Sequence, residues 1–410
     1  MTPSPFSKLS RDDYTHESTY AQTRRSLHQA TSLIADAYRS PDFYTLEQEQ
    51  VFGSSWVAVG YVEQIAEPGQ AIVVEVAGQS VVITRDADNR IHAFYNVCRH
   101  RGAQLVAEDC QVKRFQCPYH GWQYSLAGDC LATPMFGECG ERIGSRLDRH
   151  AIGLLPVRIE TWGFLILVNL DENAMPLADW LGDLPQRFAG YRLDQWRLAR
   201  QQHYDIHANW KLICENFMEY YHLPWIHPEL LQVSRMDDHY REQGPGFYTG
   251  MRTTPVSSNT DAGGWQGLPA MVGLSEFEAS SGRFIGLFPN ICLAVLPNHV
   301  FVLMLKPERV DFTLESAALL LPPDTVAPDE SAVDDMMAFW NLVNQQDIHI
   351  VETVQRGLNN RAYRGGYLSD QFEEPIHRFQ NMVIDRMVGN WTIIPAGDPV
   401  NTESPPQQAA

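Results

Sequence analysis

Two cysteine-histidine pairs, Cys98-x-His100 and Cys117-x-x-His120, lie sixteen residues apart in the run CRHRGAQLVAEDCQVKRFQCPYHGW, and they constrain the fold more than any other feature of the chain. Two thiolates and two imidazoles on paired turns suit a transition-metal ion or an iron-sulfur cluster. Structural zinc sites usually pair like ligands, Cys with Cys and His with His, whereas each turn here carries one of each. Mixed turns are what a cluster needs when two cysteines hold one iron and two histidines the other.

The residues around the pairs read as β structure. From Trp56 to Leu170 short runs (WVAVG, AIVVEVA, SVVITRD, RIHAFYNV, FLILVNL) are separated by Gly, Asp, Asn and Pro, and Asp86-Ala87-Asp88-Asn89 reads as a hairpin connection. This predicts a small all-β domain with both pairs in its loops. At 410 residues the chain exceeds what one core serves. After Asp171 longer helical patterns occupy about 177–190, 207–222 and 332–358, with strand-like FIGLFPNICLAVLPNHVFVLMLKPE and TLESAALLLP between the last two. The prediction is α+β, an antiparallel sheet covered by the long helix. Two helical patterns lie between Arg24 and Trp56, the second opened by Thr45 with Gln48 three residues on. Residues 1 to about 23 and 395–410, rich in Ser, Thr, Pro and Gln, read as loose tails. The expected domains are 1–45, a tail and helical lead-in packing with the C-terminal domain; 46–170, the all-β domain; 171–394, the α+β domain; and 395–410, a disordered tail.

A second constellation lies in HANWKLICENFMEYYHLPWIHPEL. On one continuous helix Glu215, Glu219 and His222 share a face at i, i+4 and i+7, among the apolar Trp210, Cys214, Phe217 and Tyr221. Three ionisable groups on such a stripe need a partner or a metal. Pro224 ends the helix, which frees His227 to point back from the following turn. The third ligand of a two-histidine, one-carboxylate face is sought where a carboxylate is costly. Trp340, Val343, Asp347, Ile350 with Val351, Val354 and Leu358 follow a 3.6-residue period, and Asp347 interrupts that apolar stripe. A buried Asp paired with an Arg or a helix end is the plainer alternative.

The charge balance, 31 Lys and Arg against 50 Asp and Glu, gives −19 and disfavours nucleic acid and anionic membrane as partners. No run approaches a membrane span and the start lacks an apolar signal-type segment, so a cytoplasmic enzyme is expected. Seven cysteines at irregular spacing argue against a disulfide framework, and the five outside the pairs read as small hydrophobes. No Gly-rich dinucleotide fingerprint follows a strand, so nicotinamide and flavin chemistry is expected on a separate protein.

CRHRG followed by CPYHGW resembles the Rieske signature of aromatic-ring-hydroxylating and related mononuclear non-haem iron oxygenases, and the NWK-x3-EN-x2-E-x-YH-x4-H run with the later DIHIVETVQRGL run is similar to their catalytic-domain motifs. The resemblance spans roughly residues 45 to 385. It implies an N-terminal Rieske [2Fe–2S] domain and a C-terminal helix-grip catalytic domain of large-subunit type, with one cluster and one mononuclear Fe(II) per chain. Cys98 and Cys117 would hold one cluster iron and His100 and His120 the outer one, with Trp122 and Tyr119 covering them. His222, His227 and Asp347 would hold the mononuclear iron. It further implies a head-to-tail homotrimer, in which Glu219 bridges an iron histidine to a cluster histidine of the next chain, and a separate flavin and [2Fe–2S] NAD(P)H-dependent reductase. Most ring-hydroxylating members carry aspartate where Glu219 stands, and ENFMEYYH looks more like the branch that oxidises carnitine, glycine betaine, choline and stachydrine. Oxidation of a quaternary ammonium compound is therefore the expected activity. Aromatic-ring hydroxylation is the alternative, and a Rieske electron-transfer protein without catalytic iron a third.

Overall fold

The computed structural model describes residues 9–138, 141–149, 151–228, 230–232, 235–254, 268–325 and 329–390. Cys139 and the predicted 395–410 tail lie outside the described residues. The chain divides into two compact units, Phe52–Ala174, and Met1–Val51 with Met175–Ala410.

The first unit is all β, as expected. Its strands are β1 (Val57–Tyr61), β2 (Gln70–Val76), β3 (Gln79–Arg85), β4 (Ile91–Tyr95), β5 (Cys110–Gln111), β6 (Phe115–Gln116), β7 (Gln123–Tyr124), β8 (Cys130–Ala132), β9 (Arg158–Trp162) and β10 (Leu165–Asn169). They form three antiparallel sheets, in the orders β1-β10-β9, β4-β3-β2-β5 and β6-β7-β8. Every residue of β10 is buried, which explains why FLILVN is an unbroken apolar run: it is a central strand covered on both faces. The Asp86 turn joins β3 to β4 as predicted, its Oδ1 accepting from the N–H groups of Asp88 and Arg90.

The second unit is built on a seven-stranded antiparallel sheet. Its strands are β11 (Arg197–Ile206), β12 (His239–Arg241), β13 (Tyr248–Thr253), β14 (Gly282–Leu287), β15 (Ile291–Val295), β16 (Val300–Arg309) and β17 (Phe312–Leu321), in the order β11-β17-β16-β15-β14-β13-β12. Its main helices are α1 (Pro41–Glu47), α2 (Trp210–Phe217), α3 (Leu223–Ile226), α4 (Glu330–Leu358) and α5 (Glu374–Met387). The long helix α4 lies across the sheet as expected. Asn341 accepts from Tyr204 of β11, Asn344 donates to Glu315 of β17, and Trp340 stacks on Phe301 of β16. No helix among the described residues is long and apolar enough to cross a membrane.

Five local expectations need correction. The helix expected over 207–222 stops at Phe217, and a separate helix α3 begins after His222. Pro224 sits in the first turn of α3 and bars one helix from running through both, since its ring would meet the Tyr220 carbonyl. The expected 177–190 helix is two pieces, Leu177–Leu181 and Leu184–Arg187, parted by Gly182 at φ 60°. Helix α1 is capped by Ser40, whose hydroxyl accepts from Phe43 N–H, with Pro41 in the first turn; Thr45 instead lies inside the helix and donates to the Pro41 carbonyl. Residues 9–23 are not loose, since Tyr14 and Tyr20 are buried and Tyr20 donates to the Tyr14 carbonyl. On α4, Val354 is exposed and Gln355 takes the buried position beside it.

Candidate metal centres

The two Cys/His turns of the first unit are copies of one design. Gly102 N–H donates to the Cys98 carbonyl and Gly121 N–H to the Cys117 carbonyl, both at 3.0 Å. Cys98 N–H donates to Ala103 and Cys117 N–H to Trp122, at 2.8 and 2.7 Å. Each turn closes through a glycine in the left-handed region, φ 73° and 70°, which is why both motifs end in Gly. The folded turns bury both cysteines and bring the His100 and His120 rings to 4.6 Å. His120 is exposed while His100 is half-buried, lying flat on Trp122 at 4.9 Å with the planes 6° apart. Tyr119 packs on His120 at 3.8 Å, but it is an exposed cover.

This arrangement fits a mixed-ligand cluster. His100 Nδ1 is buried without a hydrogen-bond partner among the described residues, as a nitrogen awaiting a metal would be. Burial, then the neighbouring His120, holds His100 below the ordinary imidazole range, so its lone pair is available. Burial raises the Cys98 thiol, and Tyr124 OH at 3.3 Å and the adjoining Cys117 complete its surroundings. A cation is what would turn this thiol into a thiolate.

In the second unit His222, His227 and Asp347 converge. One ligand atom from each lies within 4.8 Å of the others. His227 Nε2 is 2.8 Å from Asp347 Oδ1, and His222 Nε2 is 3.6 Å from the same oxygen. His222 caps the N-terminus of α3 and His227 its C-terminus, so this four-residue helix is the spacer that sets two imidazoles 5.2 Å apart. Asp347 arrives from α4 with its side chain 23% exposed. A carboxylate and two inward imidazole nitrogens, with no Lys or Arg among the described lining residues, suit a divalent cation of the non-haem iron type.

The outer partners of both histidines fix their tautomers. Glu219 Oε1 lies 2.5 Å from His222 Nδ1, and Gln346 Oε1 lies 2.6 Å from His227 Nδ1. With a metal bound, each Nδ1–H would donate outward and leave each Nε2 lone pair pointing inward. Burial alone would lower His222, but Glu219 and then Asp347 outweigh it and hold the imidazole above its ordinary range. The other oxygen of Glu219 accepts from the N–H groups of Tyr221 and His222. Glu215, expected on the same stripe, points elsewhere: it accepts from Tyr38 OH at 2.6 Å and Gln380 at 3.0 Å. Gln346 was not among the residues expected, since an amide beside an aspartate on a helix carries no pattern of its own.

A cleft with about 680 Å³ of empty space, part of it open solvent, lies beside the triad, walled by Phe217, Phe284 and Trp340 with Met251 and Leu296. The Cys130, Cys214 and Cys292 thiols are buried, Cys130 in the same core cluster as Cys98 and Cys117, and they pack as the small hydrophobes expected.

A family model described as Rieske [2Fe-2S] domain matches residues 55–146, and one described as Ring hydroxylating alpha subunit (catalytic domain) matches residues 193–389. The chain is 28% identical over 404 residues to the glycine betaine monooxygenase oxygenase subunit of Pseudomonas aeruginosa (strain UCBPP-PA14), covering 90% of this chain and 92% of that one. It is 28% identical over 356 residues to the chloroplastic choline monooxygenase of Beta vulgaris, covering 83% and 74%. In fold it matches a solved quaternary ammonium Rieske monooxygenase, studied for carnitine oxidation by gut microbiota and inter-subunit electron transfer, with a TM-score of 0.75 at 24% identity over 93% of this chain and 100% of that one. The chain belongs to the Rieske-type mononuclear non-haem iron oxygenases and is of their alpha-subunit kind. It is an oxidoreductase whose two domains carry a Rieske cluster and a mononuclear iron.

Proposed function

We propose that this chain is a terminal oxygenase that takes electrons from a separate flavin and [2Fe–2S] NAD(P)H-dependent reductase and uses O2 to hydroxylate a small quaternary ammonium compound. In this reading Cys98 and Cys117 ligate one iron of the cluster and His100 and His120 the other. His222, His227 and Asp347 hold Fe(II). Glu219 links His222 to a cluster histidine of the next chain in a head-to-tail trimer, a heterologous interface that closes into a ring. The six described cysteines are all free, which suits the cytoplasm.

The observation that carries the substrate class is the cavity wall. Its charged groups, besides the histidines, are the carboxylates of Glu219 and Asp347, and its walls include the rings of Phe217, Phe284 and Trp340. A trimethylammonium group gains about 0.5 to 2 kcal/mol from each ring face it meets. The named similarity to glycine betaine and choline monooxygenases supports the same class. Bound iron supplies reductive activation of O2. This chain's residues hold the two Nε2 lone pairs inward through Glu219 and Gln346, and the aromatic wall keeps water from the reacting carbon. Hydroxylation of an N-methyl carbon consumes O2, two electrons and two protons and yields water and a carbinol, which splits into formaldehyde and the tertiary amine.

The test is reductase-coupled oxygen uptake across a panel of quaternary amines and simple aromatic acids, with products identified. An aldehyde and a demethylated amine are expected, whereas a cis-diol from an aromatic acid would overturn the reading. Iron analysis runs alongside. Three irons per chain are expected, and two would mark an electron-transfer protein.

A further inference from the structure

Trp340 sits seven residues before Asp347 on α4 and therefore on the same helix face, and its indole lines the cavity beside the triad. Two neighbours fix the ring. Phe301 stacks on it, with centroids 4.7 Å apart and planes at 8°. Its Nε1–H donates to His299 Nε2 at 2.8 Å. His299 is fully buried in the turn between β15 and β16, and its Nδ1 lies 2.8 Å from Asn298 Oδ1. With the imidazole proton on Nδ1 donated to Asn298, Nε2 is free to accept from the indole. Burial holds His299 at about 3, so it stays neutral and the acceptor persists through the working pH range.

We propose that His299 is a positioning residue for substrate selectivity: by accepting the indole N–H of Trp340 it holds that ring as a donor-free aromatic wall and strengthens the wall's attraction for a quaternary ammonium group. The proposal rests on the cavity taking such a cation. A quaternary ammonium accepts no hydrogen bond, so an indole N–H aimed at it is wasted, whereas a carboxylate or hydroxyl competitor could use one. Donation to a neutral imidazole also pushes electron density onto the indole, and a richer ring face binds a cation more strongly.

The experiment measures dissociation constants of choline and of its neutral carbon isostere, 3,3-dimethyl-1-butanol, by calorimetry on the iron-loaded protein. The forms compared are wild type, His299→Leu, His299→Gln, Trp340→Phe and the His299→Leu, Trp340→Phe double variant. His299→Leu should cut the preference for choline over the isostere about two- to threefold, a part of one cation–π contact because the ring itself remains, with iron content and cluster absorbance unchanged. His299→Gln, whose side-chain oxygen can accept from the indole, should restore most of it. In the Trp340→Phe background His299→Leu should change the preference no further. Equal effects of His299→Leu in both backgrounds, or none in either, would overturn the role of His299. If His299→Leu does not fold, His299→Met, which keeps the volume and offers only a weak thioether acceptor, is read in its place with the same expectations. A wild type that shows no preference for choline overturns the substrate class itself. A preference that survives every variant overturns His299 alone.

Discussion

Replacing Gln346 with leucine should cost the mononuclear site most of its hold on ferrous iron, and the size of the loss follows from the two faces of His227. That imidazole is almost wholly buried, 1% exposed, with Nδ1 at 2.6 Å from Gln346 and Nε2 at 2.8 Å from Asp347. A neutral ring has one proton. To ligate a metal through Nε2 it must carry that proton on Nδ1, where Gln346 accepts it. Leucine fills similar volume but leaves the N–H buried and unpaired, at a cost of roughly 1–3 kcal/mol. The metal-free protein escapes this cost, because there the proton can move to Nε2 and donate to Asp347. The whole penalty therefore falls on the metal-bound form, a loss of roughly 5- to 150-fold in affinity, which brackets the 10- to 100-fold typical of outer-partner mutations. Competition with a ferrous chelator measures it, with the visible band of the Rieske cluster as an internal control for folding. Gln346→Glu, which keeps an acceptor, should retain iron. If the leucine variant binds Fe(II) within twofold of wild type while the cluster band is intact, the tautomer argument is wrong.

Glu219→Ala should leave cluster and iron in place but slow reoxidation of the reduced cluster in single-turnover stopped flow, with Glu219→Asp keeping part of the rate; iron lost from the alanine variant would make Glu219 a ligand instead. Gly102→Ala should destabilise its turn by roughly 1–2 kcal/mol through backbone strain alone, because the added carbon meets nothing closer than 4.0 Å, and chemical denaturation of the cluster-bearing protein reads that loss. Lys211 and Glu47 form a fully buried ion pair, so Lys211→Met should cost about 3–5 kcal/mol, and pairing it with Glu47→Leu should recover most of that in the same denaturation assay. Burial raises Glu315 to about 7 from 4.5. Between those values the folded form holds a proton that the unfolded form has released, so stability falls as pH rises from 4.5 and the loss is complete above 7. Glu315→Gln should therefore stabilise the protein at pH 8 by an amount on the order of 3 kcal/mol and change little at pH 4.5; thermal melts showing the same shift at both would refute this.

What the sequence disclosed follows from how strongly chemistry restricts each position. The paired Cys/His turns and the convergence of His222, His227 and Asp347 were legible because few residue types bind transition metals and an aspartate on an apolar stripe needs a reason. The buried strands β3 and β10 were legible as apolar runs. Strand β11 was not: at the sheet edge it pairs only with β17, and RLARQQHYDI exposes half of its side chains and fully buries only Ile206, so no alternation shows. Helix α5 was missed for the opposite cause. All its residues are buried, yet the interior meets it with polar partners, as where Arg378 donates to the carbonyls of Tyr248 and Gly244. Gln346 and His299 matter only through neighbours distant in sequence, and no local pattern encodes that.

The one misreading that touched the site shows how its charge is set. On a single helix over 207–222, Glu215, Glu219 and His222 would face the metal together, and with Asp347 three carboxylates would crowd one divalent ion. The break at Phe217 sends Glu215 to Tyr38 and Gln380, behind the site, where burial raises it to about 7. Glu219 stays, but its oxygens are occupied by His222 Nδ1 and two backbone N–H groups, so it orients a ligand and need not be one. Asp347 is left as the single carboxylate among the inward donors. Two neutral imidazoles and one negative charge would leave a bound divalent ion with net positive charge. The break after Phe217 thus does as much to define the metal site as the residues that line it.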